Sequence, residues 1–230
     1  MCGRFGLFSD LDRLAEQFGF DPLTVRDLFS PSYNVAPTNS VVTLTAPGLA
    51  LEPQLMRWGL IAPWQRRGDP LGKPIFNARS ETVAEKLMFR RAFARSRGLV
   101  LADGFYEWQR RGGVKQPYWI CRRDGRPFAF AVIWSLQQGA GLYSCAVLTT
   151  GPNELMAPIH SRMPVILGEH ESDTWLDPEA PAERLLEVCR PGPWPHMQTV
   201  PVSARVGRVS NNDPGLIAPV KDPAVMKLGD

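Results

Sequence analysis

The sequence predicts an α+β protein with a curved, largely antiparallel, barrel-like β-sheet core and peripheral helices. Three observations carry that expectation. Runs rich in β-branched and aromatic residues recur along the chain: VVTLTA (41–46), LVLADGFYEW (99–108), PYWICRR (117–123), PFAFAVIW (127–134), LYSCAVLTT (142–150) and MPVIL (163–167). Segments with helical periodicity are few and do not alternate regularly with these runs, which argues against a doubly wound parallel sheet. Short polar turns join several runs, and Arg123-Asp124-Gly125-Arg126 reads as a hairpin.

Taken in order, the first helix falls in SDLDRLAEQF, with Ser9 as its N-cap and Leu11, Leu14, Ala15 and Phe18 on one face. A second fits SETVAEKLMFRRAFARSRG. Ser80 would cap it, Val83, Leu87 and Phe93 would share a side, and Gly98 would stop it. A third fits PAERLLEVC (181–189). The many prolines imply long ordered loops, where sites often sit. With no internal repeat, low-complexity tract or break in composition, one domain over 1–222 and a short tail over 223–230 are expected.

The chain has 230 residues, 44% of them hydrophobic and 21% charged, which suits a folded protein and excludes a disordered one. No apolar run reaches membrane-span length and no leader is recognisable, so a cytoplasmic location with no membrane partner is expected. Cys2, Cys121, Cys145 and Cys189 form no C-x-x-C pair and have no histidine at ligand spacing, so neither a metal nor a disulfide framework is expected. Cys121 and Cys145 read as inert core residues. The net charge of +3 says little. Its make-up says more, because lysines stand only at 73, 86, 115, 221 and 227 and arginine supplies the rest. Arginine suits phosphate and planar groups. GC-rich codon usage accounts for the same bias equally well.

Five stretches could carry chemistry. In MCGRF, removal of Met1 would leave Cys2 with an amine and a thiol on adjacent carbons. In GFYEWQ, strand geometry puts Phe105 and Glu107 on one face and Tyr106 and Trp108 on the other. A buried Glu107 would have its pKa raised and could shuttle protons, although a surface glutamate flanked by inward-packing aromatics fits the local pattern better. In APIHSRMPVIL, His160 precedes a strand with Arg162 two positions on, while His170 and His196 read as surface residues, His170 in a turn. In PIFNARSET, Asn77 and Arg79 lie just before a helix start, where an anion could bind, or where Arg79 could pair with a carboxylate. In RWGLIAPWQRRG, Trp58 and Trp64 alternate with Arg57, Arg66 and Arg67, as suits unstacked bases, though Trp58 reads better as core.

These stretches occur in a recognisable order. MCGRF, YNVAPT (33–38), RWGL (57–60), FNARSET (76–82), ADGFYEW (102–108), LTT (148–150) and IHSRMPVIL (159–167) resemble, block by block, the SOS response-associated peptidase family of abasic-site processing proteins. The resemblance spans Met1 to about Pro219-Val220. It implies that Cys2 becomes the new N-terminus and crosslinks to single-stranded DNA at an abasic site. It implies that Asn77 holds the reacting sugar and that Glu107 and His160 form the acid/base pair. Arg4, Arg79 and Arg162 would hold phosphates, Thr149 would line the same cleft, and Trp64 would wedge against bases at the lesion. No cofactor is implied, and a monomer is expected. The chain departs from the family at Gln65, where a second aromatic is common, and at Gly207, where asparagine is usual. An amidohydrolase with an N-terminal cysteine nucleophile shares the Met-Cys-Gly start, but the glutamine-pocket blocks of that class are absent from the chain. A non-catalytic reader of modified or single-stranded DNA would use the arginines and tryptophans and not Cys2.

Overall fold

A computed structural model describes residues 2–48, 50–62, 64–65, 73–137 and 141–221. Met1, Arg66, Arg67 and the tail expected over 223–230 lie outside the described residues.

Two sheets share the thirteen strands found there. The first has five strands in the order β13 (Met197–Pro201), β8 (Val114–Arg122), β7 (Gly104–Arg111), β1 (Phe5–Leu7) and β2 (Ser32–Val35), antiparallel at every pairing. The second closes on itself. Its ring runs β10 (Leu142–Thr150), β4 (Glu52–Trp58), β3 (Ser40–Thr45), β6 (Arg97–Ala102) and β9 (Phe128–Gln137), then back to β10. β5 (Asn77–Arg79) and β11 (Met163–Pro164) add to β10, and β12 (Ile166–Leu167) adds to β9. The fold is α+β with a barrel-like, mostly antiparallel core, as expected from sequence. The exceptions are β10 with β4 and β10 with β5, which run parallel. β6 and most of β9 are buried on both faces, which is why they read as continuous apolar runs without alternation. One large core fills the barrel and its contact with β1, and a smaller cluster around Tyr106, Trp119, Val202, Val206 and Leu216 lies apart from it.

Local chemistry explains where the elements depart from expectation. Helix α1 (Leu11–Phe18) is capped by Asp10, whose carboxylate accepts from the N–H groups of Asp12 and Arg13. Ser9 cannot cap it, because its hydroxyl donates to Asp103. The long helix expected over 80–98 shrinks to α2 (Arg90–Arg95), with one 3-10 turn at Ser80–Thr82. Ser80 makes no side-chain cap, and Leu87 is exposed while Val83 and Phe93 are buried. Gly98 is no helix stop. It sits inside β6, where a Cβ would come within 2.8 Å of the Leu44 carbonyl, so glycine permits the approach of β3. The run over 99–108 is two strands in different sheets, broken at Asp103, whose carboxylate accepts from Phe8 N–H, Ser9 N–H and the Ser9 hydroxyl. The turn at 123–126 forms around Asp124 and Gly125, the latter with φ +66°. It is no hairpin, since β8 and β9 belong to different sheets. Helix α4 (Ala182–Val188) matches its expected place. Helix α3 (Glu169–Leu176) was not expected, and it carries the exposed His170 that read as a turn residue. Arg97 ties α3 to α2: its guanidinium donates to the carbonyls of Phe93, Ala94, Trp175 and Asp177.

No helix among the described residues is long and apolar enough to cross a membrane, and none of their His, Cys, Asp and Glu side chains cluster as metal ligands would. The described cysteines are unpaired. Cys145 and Cys189 are buried, with thiols pushed up to about 12 by burial. Cys121, expected in the core, is only half-buried and accepts a hydrogen bond from Gln198.

Candidate active site at the first strand

Strand β1 lies between β2 and β7 and is hydrogen-bonded on both sides, so the residues just before it have a fixed position. Cys2 is fully buried there. From the neighbouring sheet, β5 runs beside β10 with Asn77 opposite Val147 and Arg79 opposite Thr149. This register brings Asn77 to Cys2: its Nδ2 donates to the Cys2 carbonyl at 2.8 Å. The other amide atom, Asn77 Oδ1, is buried and has no hydrogen-bond partner among the described residues. Native structures seldom leave such an acceptor unmatched, and those that do so often reserve it for function.

Glu107 sits on β7, with its partner Tyr118 on β8. It is only 2% exposed, so the surface position favoured by the local pattern is wrong. The alternation of β7 turns Phe105 into the main core and Tyr106 into the smaller one, and Glu107 follows Phe105 inward. Burial pushes the Cys2 thiol far up, and the negative charge of Glu107 adds to that push, while the Arg4 backbone opposes it. Cys2 is therefore held as a neutral thiol at physiological pH.

His160 lies near the end of the loop between β10 and β11. Gln109, at the far end of β7, donates to the Pro158 carbonyl and ties that loop to the strand carrying Glu107. His160 Nδ1 lies 3.0 Å from both the N–H and the carbonyl oxygen of Arg162. The neutral ring can accept from the N–H, and the protonated ring can donate to the carbonyl. The two contacts are alternatives, and the tautomer of the ring decides which is made.

The structure divides the expected DNA-contacting residues into two groups. Trp64 is 60% exposed and Arg79 is exposed. Arg4, Thr149 and Arg162 are engaged with the protein. Arg4 donates to Asn34 Oδ1 and the Val206 carbonyl. Thr149 is fully buried beside Ala78. Arg162 donates to the Thr149 carbonyl and hydroxyl and to both oxygens of Glu81. Trp58, read as core, is fully buried. Two residues bonded to these arginines escaped the sequence reading. Asn34 is buried, accepts from Arg4 and donates to the carbonyls of Val206, Arg208 and Asn211. Glu81 holds Arg162. Both lie inside blocks already noted, YNVAPT and FNARSET, which was the available signal.

Comparison with known proteins then decides the family. The family model described as SOS response associated peptidase (SRAP) matches residues 1–209. This chain belongs to the SRAP family. Among SRAP relatives, it is 40% identical over 222 residues to the abasic site processing protein YoqW of Bacillus subtilis, covering 94% of this chain and 99% of that one. It is 31% identical over 235 residues to the abasic site processing protein YedK of Escherichia coli, covering 96% and 100%. A crystal structure of a protein from Bacteroides thetaiotaomicron superposes with a TM-score of 0.85 at 25% identity, covering 95% of this chain and 100% of that one. The SRAP fold is thus shared over nearly the full length.

Proposed function

We propose that this SRAP chain captures abasic sites in single-stranded DNA by forming a thiazolidine at Cys2. The observation that carries the reading is the hydrogen bond from Asn77 to the Cys2 carbonyl beside an unmatched, buried Asn77 Oδ1. It supports a residue that holds the first residues with one atom and offers the other to a hydroxyl of the sugar. The names of the relatives, abasic site processing proteins, supply the substrate class.

The reaction begins with hydrolysis of the Met1–Cys2 peptide bond, which frees the Cys2 amine. An α-amine titrates near ~7.7–8.0, against ~10.4 for lysine, so a useful fraction is neutral at physiological pH. Glu107 takes the proton from the sugar's O1′ hydroxyl as the C1′–O4′ bond breaks, and His160 gives a proton to O4′. The open aldehyde results. The amine attacks C1′, and loss of water, with its proton supplied by His160, gives an imine. The thiol then adds to the same carbon and its proton passes to the nitrogen, closing a five-membered ring. The sum is aldehyde plus aminothiol to thiazolidine plus one water. Before Met1 is removed, burial raises the pKa of the thiol; a thiol that stays neutral in the processed chain would not compete as first nucleophile and would carry the proton that the last step needs. Its tether to the amine gives it a very high effective concentration. Serine would offer the amine without the sulfur, and its oxygen ring would be weaker.

Exposed Arg79 and Trp64 would meet the strand, and Arg4, Thr149 and Arg162 would shape the cleft wall. The same groups can run the reaction backwards, and proton loss next to the imine would cleave the strand, giving lyase activity. Intact-mass measurement with and without an abasic oligonucleotide tests the reading. The expected masses are the chain without Met1, and that chain plus the oligonucleotide minus one water. Cys2→Ala should fold and give no adduct. Undiminished adduct in that variant, or a mature chain that keeps Met1, would overturn the proposal.

A further inference from the structure

We infer that Glu81 is a positioning residue for the chemistry at Cys2, acting through Arg162 on His160. The inference deepens the proposed function and rests on it for its kinetic arm. Glu81 follows β5 in the 3-10 turn Ser80–Thr82, four residues after Asn77. Its carboxylate grips the Arg162 guanidinium with both oxygens, Nη1 to Oε1 at 2.5 Å and Nη2 to Oε2 at 2.9 Å. That paired geometry fixes the orientation of the guanidinium plane as well as its distance. Arg162 Nη2 also meets the Thr149 carbonyl at 2.5 Å and its hydroxyl at 3.2 Å. Arg162 is therefore held from two elements, β10 and the segment after β5. The backbone of this same residue offers His160 Nδ1 its donor and its acceptor, each at 3.0 Å. One short segment thus holds two of the groups the proposed chemistry uses: Asn77 bonds the Cys2 carbonyl, and Glu81 holds the residue whose backbone meets the histidine.

A stabilising role alone explains this poorly. The Glu81 side chain is 49% exposed while that of Arg162 is largely covered at 16%, so water can partly replace the carboxylate when it is removed and the loss of stability is limited. A role in orientation does not need a large binding energy, because small misplacements of a reacting group cost large factors in rate.

Glu81→Gln keeps the shape and removes the charge. Two measurements test it. The first needs no DNA: side-chain 1H–15N spectra of the histidines, with the His160 signals assigned through His160→Ala. Glu81→Gln should displace the His160 resonances and leave those of His170 and His196 unmoved. Unchanged His160 resonances would overturn the inference even if crosslinking proves absent from the protein. The second is the crosslinking rate on abasic single-stranded DNA. In Glu81→Gln the maximal rate should fall about tenfold with half-saturation unchanged. In the His160→Ala background the same substitution should add less than about twofold, since both changes act on one group. A full additional loss there, or a tighter half-saturation at unchanged rate, would overturn the inference. The latter result would show Glu81 competing with a DNA phosphate for Arg162.

Discussion

Removing the Asn77 side chain should cost function far more than stability. Asn77→Ala deletes the donor to the Cys2 carbonyl, 2.8 Å away, and leaves that acceptor unpaired beside a fully buried residue. A stranded buried acceptor costs about 1–3 kcal/mol. The same substitution also removes Oδ1, itself buried and unmatched, and so relieves a penalty of the same kind and size. The two nearly cancel, and the net change should stay within about 1 kcal/mol. For a chain of this size that is a Tm shift of at most about 4 °C. Asn77→Asp behaves differently. It keeps an acceptor where Oδ1 stood, turns a second one on the Cys2 carbonyl, and adds charge near buried Glu107. Its cost should be roughly 3 kcal/mol or more, a drop of about 6–12 °C. Scanning calorimetry of both variants, with crosslinking to an abasic oligonucleotide, reads the difference. The alanine variant should melt near wild type and crosslink at least about a hundredfold more slowly. If it melts as low as the aspartate variant, Oδ1 was not an unmatched acceptor and the reasoning fails.

Three further outcomes follow from the geometry. Gly104→Ala should be strongly destabilising, by about 1–3 kcal/mol or more, because its Cβ would lie 2.4 Å from the Trp119 ring and 2.7 Å from the Ile120 carbonyl; an unchanged urea midpoint would contradict the packing. In the native protein iodoacetamide should label half-buried Cys121 first, with Cys2, Cys145 and Cys189 protected until unfolding; peptide mass mapping that finds Cys2 labelled as fast as Cys121 would contradict its burial. The hydrogen bonds from Arg162 hold the Glu81 carboxyl below its ordinary range. A group whose pKa is depressed by folding contributes stability above its unfolded value, ~4.3, and loses it as pH falls through the folded value. The small stability gap between wild type and Glu81→Gln should therefore be full at neutral pH and vanish in acid, and a gap that widens below pH ~4 would contradict the pairing.

The order of blocks from MCGRF to IHSRMPVIL was enough to name the family, and the same blocks are what put forward Cys2, Asn77, Glu107 and His160, which lie far apart in the chain. The strand runs that form β3, β8, β9 and β10 were legible because burial of both faces leaves long apolar stretches. What escaped was set by contacts distant in sequence. Glu107 read as a surface residue because its neighbours in sequence say nothing of the core that Phe105 enters. The 80–98 segment has helical residue types, yet Arg97 and Gly98 at its end pair with β9, and that pairing overrides local preference there. β1 and β5 are three residues each, too short for any periodicity to show. Glu81 was in view throughout, but its role depends on Arg162, eighty-one positions later.

The anchoring of β1 on both edges has a mechanical corollary. Under the proposed chemistry the attacking residue cannot reach outward, so the sugar must travel to it. A nucleotide that keeps its base is tethered by stacking on its neighbours, and swinging its backbone inward means breaking that stack. A sugar that has lost its base has no such tether to break. An immobile attacker thus discriminates by the compliance of the strand, before any atom of the lesion is touched.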